Sequence, residues 1–440
     1  MEKVIIHVIN FEIIKTNIFR EDLLLLKEIN EKYLIKNIFF YSTWKLVNIP
    51  DEYINNEQLE FFDYKDFDDL SNKVLNINKN FEIIFINTLL ELEIQTINKL
   101  RILIGQEVST HYEMFNNKSI QRELLYNNDS YISVKFIKSK LLDLNYDEIV
   151  TKIWLPFVLK PSRWVQSAWV VKIKKEKNFI KYIENYKVFH SNLVNKWLND
   201  IDEIIAEEYV NWKFYSIDYF VNEKSEIFLT KPVKVELWID LWIDDFFNYS
   251  RIISKEVEKE NDENKLYDFI QKNVKATGIK NTFIHHEYKI NTKWQYKTIE
   301  LNGRIGWRRL PYYKMWYNLN LFTLLFEKQN EYKLNINLAF LRVYACKTWI
   351  LKEFNQNLFD QISKLSSSVY ISKNQSKINK KVWLTKYWFE NTASLRLQND
   401  KLDLLKKDLL FIWKIYQDLL IIDENKEFLE NDLKLLNKIV

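Results

Sequence analysis

The sequence predicts an N-terminal α/β domain followed by α+β domains. Its 440 residues exceed what one ordinary hydrophobic core accommodates, and a hydrophobic share of 47% is enough for two or three cores. The first 115 or so residues alternate short apolar runs with helical patterns, whereas strand-like runs predominate afterwards. We therefore expect domains at 1–115, 116–210 and 211–440.

The N-terminal segment has the rhythm of βαβ units. Apolar runs that predict strands and periodic runs that predict helices follow each other in the order Val4–Ile9, Glu21–Tyr33, Ile38–Tyr41, Phe81–Ile86 and Leu89–Leu103. Strands separated by helices pair in parallel, because a parallel connection needs a crossover. We expect a small parallel sheet here.

The rest of the chain mixes helices, strands and one hairpin. A helical pattern covers 119–125, and a buried strand is expected at 157–161, after which strands dominate to about 240. The later expectations are a charged helix near 254–273, a hairpin at 282–303, helices near 316–328 and 403–421, and a polar helix at the C terminus.

Composition excludes several classes of protein. The net charge is only +4 and the charges are interspersed, so nucleic acid is not the expected partner. The single cysteine, Cys346, rules out an internal disulfide and a multi-cysteine metal site, which fits a reducing cytosol. No apolar run reaches the roughly 18 residues of a membrane span, and no signal-peptide pattern follows Met1. We expect a cytoplasmic protein without a membrane partner.

Glycine is scarce and tryptophan is abundant. The chain has 4 glycines, where average usage predicts roughly 30, and it has 15 tryptophans. Trp294 follows Lys293 where a hairpin favours a residue that tolerates positive φ, and Trp212 occupies a similar turn-like position. Either UGA encodes glycine in the source and was translated as tryptophan, or the protein is rich in tryptophan and comes from an AT-rich genome. The glycine deficit favours the first hypothesis.

Glu287 and Glu300 give the sharpest functional signal. A hairpin with its tip at Lys293–Trp294 places these two side chains opposite each other on one face, with Asn302 on the same face. Like charges in such a pair are destabilising unless a cation lies between them, and Mg²⁺ prefers oxygen ligands of this kind. The alternative is a solvated strand face. Arg304 favours the metal site, because a guanidinium on that face could bind phosphoryl oxygens.

Two more segments precede this hairpin. Lys160 ends a buried strand and leads into the loop 162–169, which could bring backbone N–H groups against phosphate if Trp164 and Trp169 are glycine. Glu207 and Glu208 end a second apolar strand. Each feature alone is also explained by a strand end that meets water. Their order along the chain, a lysine loop, an acidic strand end and then an acidic hairpin, favours a functional site.

These residues together resemble the ATP-grasp superfamily, in particular its carboxylate–amine ligases such as L-amino-acid ligases. The resemblance runs from about Leu89 to the C-terminal region. Asn117-Lys118-Ser119, with Arg122, resembles the segment whose lysine contacts ATP phosphates, although the family has aspartate at the position of Asn117. The other positions that match nucleotide-binding residues of the family are Lys160, Ser162, Ser167, Glu207, Glu208 and Val210.

The resemblance also implies a reaction. Glu287, Glu300 and Asn302 match ligands of two Mg²⁺ ions, and Arg304 matches the arginine beside the γ-phosphate. The implied activity joins a carboxylate and an amine through an acylphosphate, with ATP converted to ADP and phosphate. Arg308, or Arg309 beside it, is a positional candidate for binding the substrate carboxylate. A homodimer is compatible with this assignment.

Alternatives remain at this stage. A carboxylase or a ligase of nucleotide precursors would share these motifs, and real tryptophans in the phosphate loop would make an inactive nucleotide-binding protein. The family's glycines coincide with five tryptophans, at positions 154, 164, 169, 212 and 307. Two departures are Phe214 and Tyr215, where many members have a ribose-binding carboxylate, and the absence of a biotin-attachment motif. We interpret His285 as packed or hydrogen-bonded rather than as a zinc ligand.

Overall fold

The structure is a computed structural model. It describes residues 1–9, 17–42, 59–163, 169–193, 203–241, 246, 248–327, 336–345, 349–382 and 392–423. Among these residues, no helix has the length and apolar character needed to cross a bilayer.

A four-stranded parallel sheet forms the N-terminal part, as predicted. Its strands pair in the order β3-β2-β1-β4 and all three pairings are parallel. The strands are β1 (Glu2–Ile9), β2 (Ile35–Ser42), β3 (Leu59–Tyr64) and β4 (Phe81–Asn87). The helices are α1 (Asn17–Tyr33), α2 (Phe67–Asn80) and α3 (Ile94–Leu103). Alternate strand residues such as Val4, Ile6 and Val8 are fully buried, which forms one side of this core.

A second, antiparallel sheet follows helix α4 (Lys118–Asn128). Its order is β5-β8-β6-β7. The strands are β5 (Phe136–Lys140), β6 (Phe157–Pro161), β7 (Val171–Ile173) and β8 (Glu203–Glu208), and the helices are α5 (Tyr146–Ile153) and α6 (Glu176–Leu193). The expectation that strands dominate from 161 to 240 is wrong here, because α6 occupies 18 residues of that range. Its apolar residues Phe179, Tyr182 and Tyr186 pack on the sheet.

The largest sheet has nine strands and carries the hairpin. Eight of them pair in the order β14-β13-β9-β11-β12-β15-β19-β17, and β10 pairs with β9. The strands are β9 (Lys213–Val221), β10 (Ile227–Leu229), β11 (Val233–Leu237), β12 (Asn248–Ile253), β13 (Thr282–Ile290), β14 (Tyr296–Asn302), β15 (Asn337–Val343), β17 (Ser368–Lys373) and β19 (Ala393–Asn399). A small sheet, ordered β18-β16-β20, contains β16 (Trp349–Phe354), β18 (Lys381–Val382) and β20 (Leu420–Ile422).

The helices of this region differ partly from expectation. They are α7 (Lys255–Lys259), α8 (Glu263–Thr277), α9 (Arg309–Tyr317), α10 (Gln356–Ser363) and α11 (Leu402–Ile415). The single charged helix is in fact two, and the helix expected at 316–328 begins at 309. Pro311 is tolerated there because it lies in the first turn, and Asn318 ends the helix in the left-handed conformation. The polar C-terminal helix lies outside the described residues.

The hairpin brings the acidic residues together. Glu287 pairs with Glu300 across β13 and β14, as predicted, and a bulge beside Glu287 shifts the register of the remaining ladder toward the tip. The turn spans Asn291 to Gln295, and Trp294 has a φ of 54° there. Each sheet falls within one predicted range, while the domain boundaries themselves stay a prediction.

Candidate functional site

The acidic pair on the hairpin lies at the wall of a cleft. Glu287 and Glu300 keep 24% and 21% of their side-chain surface exposed, so both carboxylates can reach a ligand. Asn302, on the same face two residues after Glu300, is buried and its side-chain oxygen has no hydrogen-bond partner among the described residues. A buried acceptor without a donor is costly unless something binds it. Two carboxylates and this amide oxygen are therefore suited to a hard cation.

Two lysines face these carboxylates from other elements. Lys118 Nζ lies 2.8 Å from Glu300 Oε1, and Lys160 Nζ lies 2.8 Å from Glu207 Oε2. Arg122 Nε donates to the other oxygen of Glu207 at 2.6 Å. Burial alone would raise the pKa of Glu300, but Lys118 and Lys160 outweigh it and lower the pKa to about 2. The cleft thus holds ionised carboxylates and lysines in contact.

A helix cap connects α4, which carries Lys118, to β6, which carries Lys160. Asn117 caps α4 by accepting hydrogen bonds from the backbone N–H groups of Ser119 and Ile120. Ser162, just after β6, donates its hydroxyl to the Asn117 side chain at 2.7 Å and accepts the Lys118 backbone N–H at 2.9 Å. Ser162 is buried, and these bonds show it anchoring α4 to the strand that carries Lys160.

The cleft itself encloses about 910 Å³, including space open to solvent. Both the lysines and carboxylates and a set of apolar side chains line it. The apolar lining residues are Val134, Val158, Val170, Val210, Phe214, Leu237, Phe246 and Ile299.

The strand end at 207–210 lies along this cleft. Glu207 is 5% exposed and contacts both Arg122 and Lys160, so burial, which would raise its pKa, is outweighed and the pKa is lowered. Glu208 accepts a hydrogen bond from Lys297 at 2.7 Å, and the Val210 carbonyl accepts one from Lys289 at 2.6 Å. Both Glu208 and Val210 line the cleft, where a planar ring could contact them.

The N-terminal domain contributes a residue that the sequence analysis missed. Glu91, in a 3₁₀ turn after β4, lies 3.1 Å from Arg304 and makes an ion pair with it. Burial raises the pKa of Glu91, Arg304 lowers it, and nearby Glu300 raises it further. No local pattern in the sequence marks this contact, because 213 residues separate the two partners.

A buried acidic residue beneath the hairpin was also missed. Asp218, on β9, accepts hydrogen bonds from the Gly306 backbone N–H at 2.7 Å and from His285 Nδ1 at 3.1 Å. The other ring nitrogen of His285 lies 3.7 Å from Glu287. Burial lowers the pKa of His285, but Asp218 outweighs this and raises it. The interpretation of His285 as hydrogen-bonded is confirmed.

Several arginines lie on the same face of the large sheet as Asp218 and Glu287, on strands farther from the hairpin. Arg308 has a φ of 62° and lies over the ring of Phe340 at 5.4 Å, and Arg251 is directly opposite Phe340 on the neighbouring strand. The pKa of Arg251 is lowered well below its usual value, first by burial and then by the positive charges of Arg342 and Arg309. Such a site favours an anion.

Some predicted residues cannot be placed. Ser167, like Trp164, lies outside the described residues. The described residues also contain no group of three or more His, Cys, Asp or Glu side chains that could enclose a metal ion. Any ion bound by Glu287, Glu300 and Asn302 would therefore need oxygens from a substrate or water.

Comparisons with known proteins identify the fold. Residues 153–309 match the sequence model of the ATP-grasp domain, and no curated protein sequence matches the chain. An L-amino acid ligase from Bacillus licheniformis superimposes with a TM-score of 0.65 at 15% identity, over 97% of this chain and 100% of that one.

Two further structures of other activities are similar. N5-carboxyaminoimidazole synthetase from Staphylococcus aureus, complexed with ADP, gives a TM-score of 0.62 at 13% identity, over 93% of this chain and 96% of its own. Biotin carboxylase from Campylobacter jejuni gives 0.59 at 12% identity, over 96% of this chain and 92% of its own. The chain has the ATP-grasp fold, as predicted from its motifs.

Proposed function

We propose that the protein is an ATP-dependent ligase that joins a carboxylate to an amine. The observation that carries the proposal is the Glu287–Glu300 pair, placed in a cleft against Lys118 and next to Lys160. Carboxylates, an amide oxygen and lysines together are the groups needed to bind a nucleoside triphosphate with its metal ions. The ATP-grasp domain match covers both acidic positions and Lys160.

In the proposed site ATP lies along the cleft. The apolar side chains of Phe214, Leu237 and Val210, which line the cleft, would contact the adenine, with Glu208 near its exocyclic amine. Lys118 and Lys160 would bind the phosphates. Glu287, Glu300 and Asn302 would hold two Mg²⁺ ions, which neutralise phosphate charge during transfer.

Arg304 is positioned for the transferring group. Its guanidinium is tied to Glu91 on one side, which leaves its orientation fixed near Glu300. A fixed guanidinium stabilises charge that develops on phosphoryl oxygens without having to reorganise. Arg304 would therefore act on the γ-phosphate, while the bulk of catalysis comes from positioning.

The reaction has two balanced steps. An oxygen of the substrate carboxylate attacks the γ-phosphorus, the bond to the β-phosphate breaks, and ADP leaves. The amine nitrogen then attacks the acyl carbon, the carbon–oxygen bond to phosphate breaks, and the amine loses a proton. Arg308, with Arg251 on the same sheet face, would hold the carboxylate substrate before the first step.

Two other activities share these features. N5-carboxyaminoimidazole synthetase and biotin carboxylase are among the similar structures, so a carboxylase or a nucleotide-precursor ligase is the second candidate. An inactive nucleotide-binding protein is the third, since tryptophan occupies several positions where the sequence analysis expects glycine. We expect any of these to act in the cytoplasm on small molecules, as a monomer or homodimer.

The test is release of phosphate from ATP with defined substrate pairs. L-amino acids supplied together with a second amino acid should stimulate release and give a dipeptide by mass spectrometry. Stimulation by bicarbonate instead would support the second candidate. Nucleotide binding without turnover under any of these conditions would support the third. Glu287→Gln, which keeps the shape of the side chain, should abolish turnover in either active case.

A further inference from the structure

We infer that Asp218 and His285 are positioning residues for Glu287, an inference that rests on the proposed metal site. Asp218 is 1% exposed and His285 is 5% exposed. Asp218 fixes one ring nitrogen of the histidine, and the other nitrogen points at the Glu287 carboxylate at 3.7 Å. A buried carboxylate thus sets the direction of an imidazole whose Nε2 lies within ion-pair distance of a candidate metal ligand.

The surroundings leave His285 little freedom. A Cβ on Gly306 would come within 2.4 Å of His285 Nδ1, so the backbone of the 303–306 turn packs directly on the ring. The N–H of Gly306 also donates to Asp218. Arg309 adds an ion pair to the second oxygen of Asp218 at 3.4 Å. The turn after β14, the histidine and Glu287 are therefore held by one buried carboxylate.

Groups of this kind orient metal ligands. Partners that hydrogen-bond to ligating side chains fix their geometry, and their loss typically costs about 10–100-fold in metal affinity. His286 provides a matched comparison, because it is equally buried and adjacent. It points to the opposite face, where it contacts Thr298 at 3.2 Å and stacks on Phe269.

The test measures Mg²⁺-dependent binding of a fluorescent ATP analogue to the full chain. His285→Ala and Asp218→Asn should raise the Mg²⁺ concentration for half-saturation about tenfold, with nucleotide binding in EDTA unchanged. His285→Gln should restore part of the loss, because its amide can donate toward Glu287. His286→Gln should lower the thermal midpoint without moving the Mg²⁺ dependence.

Three outcomes would contradict this inference. They are a wild-type Mg²⁺ dependence in His285→Ala, an equal shift of that dependence in His286→Gln, and a parallel fall of metal-free binding in every variant. Wild-type protein that binds the analogue with no Mg²⁺ dependence would overturn the metal site and this inference together. Wild-type protein that does not bind the analogue at all would overturn the proposed function.

A separate observation concerns the tryptophans. Trp154, Trp169 and Trp294 have φ angles of 73°, 60° and 54°. Bulky residues rarely adopt positive φ, because the Cβ meets the backbone. The chain has 25 tyrosines and 29 phenylalanines, and none of those in the described residues has positive φ. The positive φ of these three residues is therefore explained by their positions in the fold and not by their being aromatic.

Trp154 shows the strongest conflict. Its φ of 73° is combined with a ψ of 167°, a region that is essentially restricted to glycine. The residue follows α5, where its N–H closes the last turn by donating to the Val150 carbonyl at 3.0 Å. Its side chain is 67% exposed, so burial of the indole does not compensate for the strained backbone.

Trp294 has the same combination of positive φ and an exposed side chain. It lies in the β13–β14 turn, where its N–H donates to Asn291 and its indole is 43% exposed. Trp169 has positive φ as well, but its indole is 3% exposed and packs against Tyr182 and Tyr186, so only its backbone favours glycine. By contrast, Trp212 and Trp307 do not have positive φ, so the backbone does not require glycine at those two positions.

We propose that the natural polypeptide carries glycine at positions 154, 169 and 294, because the source reads UGA as glycine. The test is the codon at each position together with peptide masses of the protein from its source. UGA codons and glycine masses at all three positions are expected. UGG codons or tryptophan masses there would overturn the proposal.

Recombinant variants give an independent readout. Changing Trp154 and Trp294, whose indoles are exposed, to glycine should raise the thermal midpoint, because the positive-φ strain is removed without the loss of a buried side chain. Changing them to phenylalanine is the matched control, since it removes the indole but keeps the strain. An equal rise in both variants would contradict the argument from backbone conformation.

Discussion

At the scale of single residues, the buried ion-pair cluster around Glu207 carries the largest stability effect. Arg122 and Lys160 are 1% and 6% exposed, and both contact this one carboxylate. Glu207→Gln leaves two buried cations without their partner, and breaking a buried pair typically costs about 3–5 kcal/mol. Chemical denaturation of the variant should show a loss of this size.

The neighbouring Glu208 provides the control. It is 24% exposed and pairs with Lys297 at the cleft edge. This pair is partly exposed and therefore screened by solvent more than the Glu207 cluster, and fully exposed pairs contribute only about 0–1 kcal/mol. Glu208→Gln should therefore change the free energy of unfolding by less than a third of the Glu207 effect, and comparable losses in the two variants would contradict the assignment of Glu207 as the buried partner.

Acid should remove the contribution of Glu300. Its pKa in the folded protein is about 2, below the ordinary value of 4.5, because Lys118 and Lys160 outweigh burial. A carboxylate with a lowered pKa stabilises the fold above its unfolded pKa, and that stabilisation is lost as the pH falls through the folded pKa. In EDTA, wild-type stability should decline more steeply than that of Glu300→Gln between about pH 4.5 and 2. Parallel curves would contradict the lowered pKa.

The residues that could be predicted from sequence are those whose neighbours are local. Glu287 and Glu300 lie in one hairpin, so counting from the tip found their pairing despite the bulge. Asp218 and Glu91 reach the site from strands and turns far away in sequence, and no local pattern marks them. His285 could be placed on the face of Glu287, but its partner Asp218 could not.

At the scale of elements, α4 and β6 are coupled through a helix cap. Asn117 accepts from two backbone N–H groups and from the Ser162 hydroxyl. Asn117→Ala should cost about 0.5–2 kcal/mol, the usual loss for such a cap. It should also weaken ATP binding, because Lys118 is the first residue of the helix. Calorimetric titration and denaturation of the same variant test both effects.

A second helix cap serves as the control that separates loss of stability from loss of ATP affinity. Asn145 caps α5 in the same way, by accepting from the Glu148 N–H, and lies outside the cleft lining. Asn145→Ala should lose a similar amount of stability while ATP affinity stays at the wild-type level. A loss of ATP affinity in both variants would show that general destabilisation explains the result for Asn117.

The elements themselves were predictable where periodicity was strong. The parallel sheet and the hairpin are confirmed, because alternating apolar runs specify strands directly. The start of helix α9 was predicted wrongly because the helix is buried on all sides and has no amphipathic stripe. Its buried residues include Leu310, Tyr312, Tyr313 and Trp316.

At the scale of the whole molecule, the N-terminal part of the chain reaches the candidate site through the ion pair of Glu91 with Arg304. This ion pair crosses from the turn after β4 to the end of β14. Glu91→Gln should lower kcat about 10–100-fold while leaving the KM for ATP nearly unchanged, because in the proposed site the arginine acts on the transferring group rather than on bound ATP. Steady-state kinetics check this.

The matched change is at another acidic residue of the same turn. Glu93 is partly buried in the same 3₁₀ turn, and among the described residues it is Glu91, not Glu93, that pairs with Arg304. Glu93→Gln should keep wild-type kcat. A rise in the KM for ATP with constant kcat in Glu91→Gln would instead place Arg304 in ground-state binding of the nucleotide.

The charge pairing across the cleft also makes a prediction about metal and nucleotide together. Lys118, on α4, contacts Glu300, which lies on strand β14 of the large sheet. If Mg²⁺ binds the carboxylate and ATP binds the lysine, each ligand must displace a partner of the other, so their binding is coupled and reciprocal. Wild-type protein should bind ATP weakly in EDTA and more tightly as Mg²⁺ is added.

Removing the Glu300 carboxylate should strengthen the binding of ATP in the absence of metal. In Glu300→Gln, Lys118 no longer contacts a negative charge, and the repulsion between Glu300 and the phosphates is gone. ATP binding in EDTA should therefore be tighter than in the wild type, by about tenfold for each 1.4 kcal/mol of repulsion removed, while the gain from Mg²⁺ shrinks. Titration calorimetry of both proteins with and without Mg²⁺ measures the four affinities. Weaker metal-free binding in the variant would mean that Glu300 supports nucleotide binding by holding Lys118 in place, rather than competing with ATP for it.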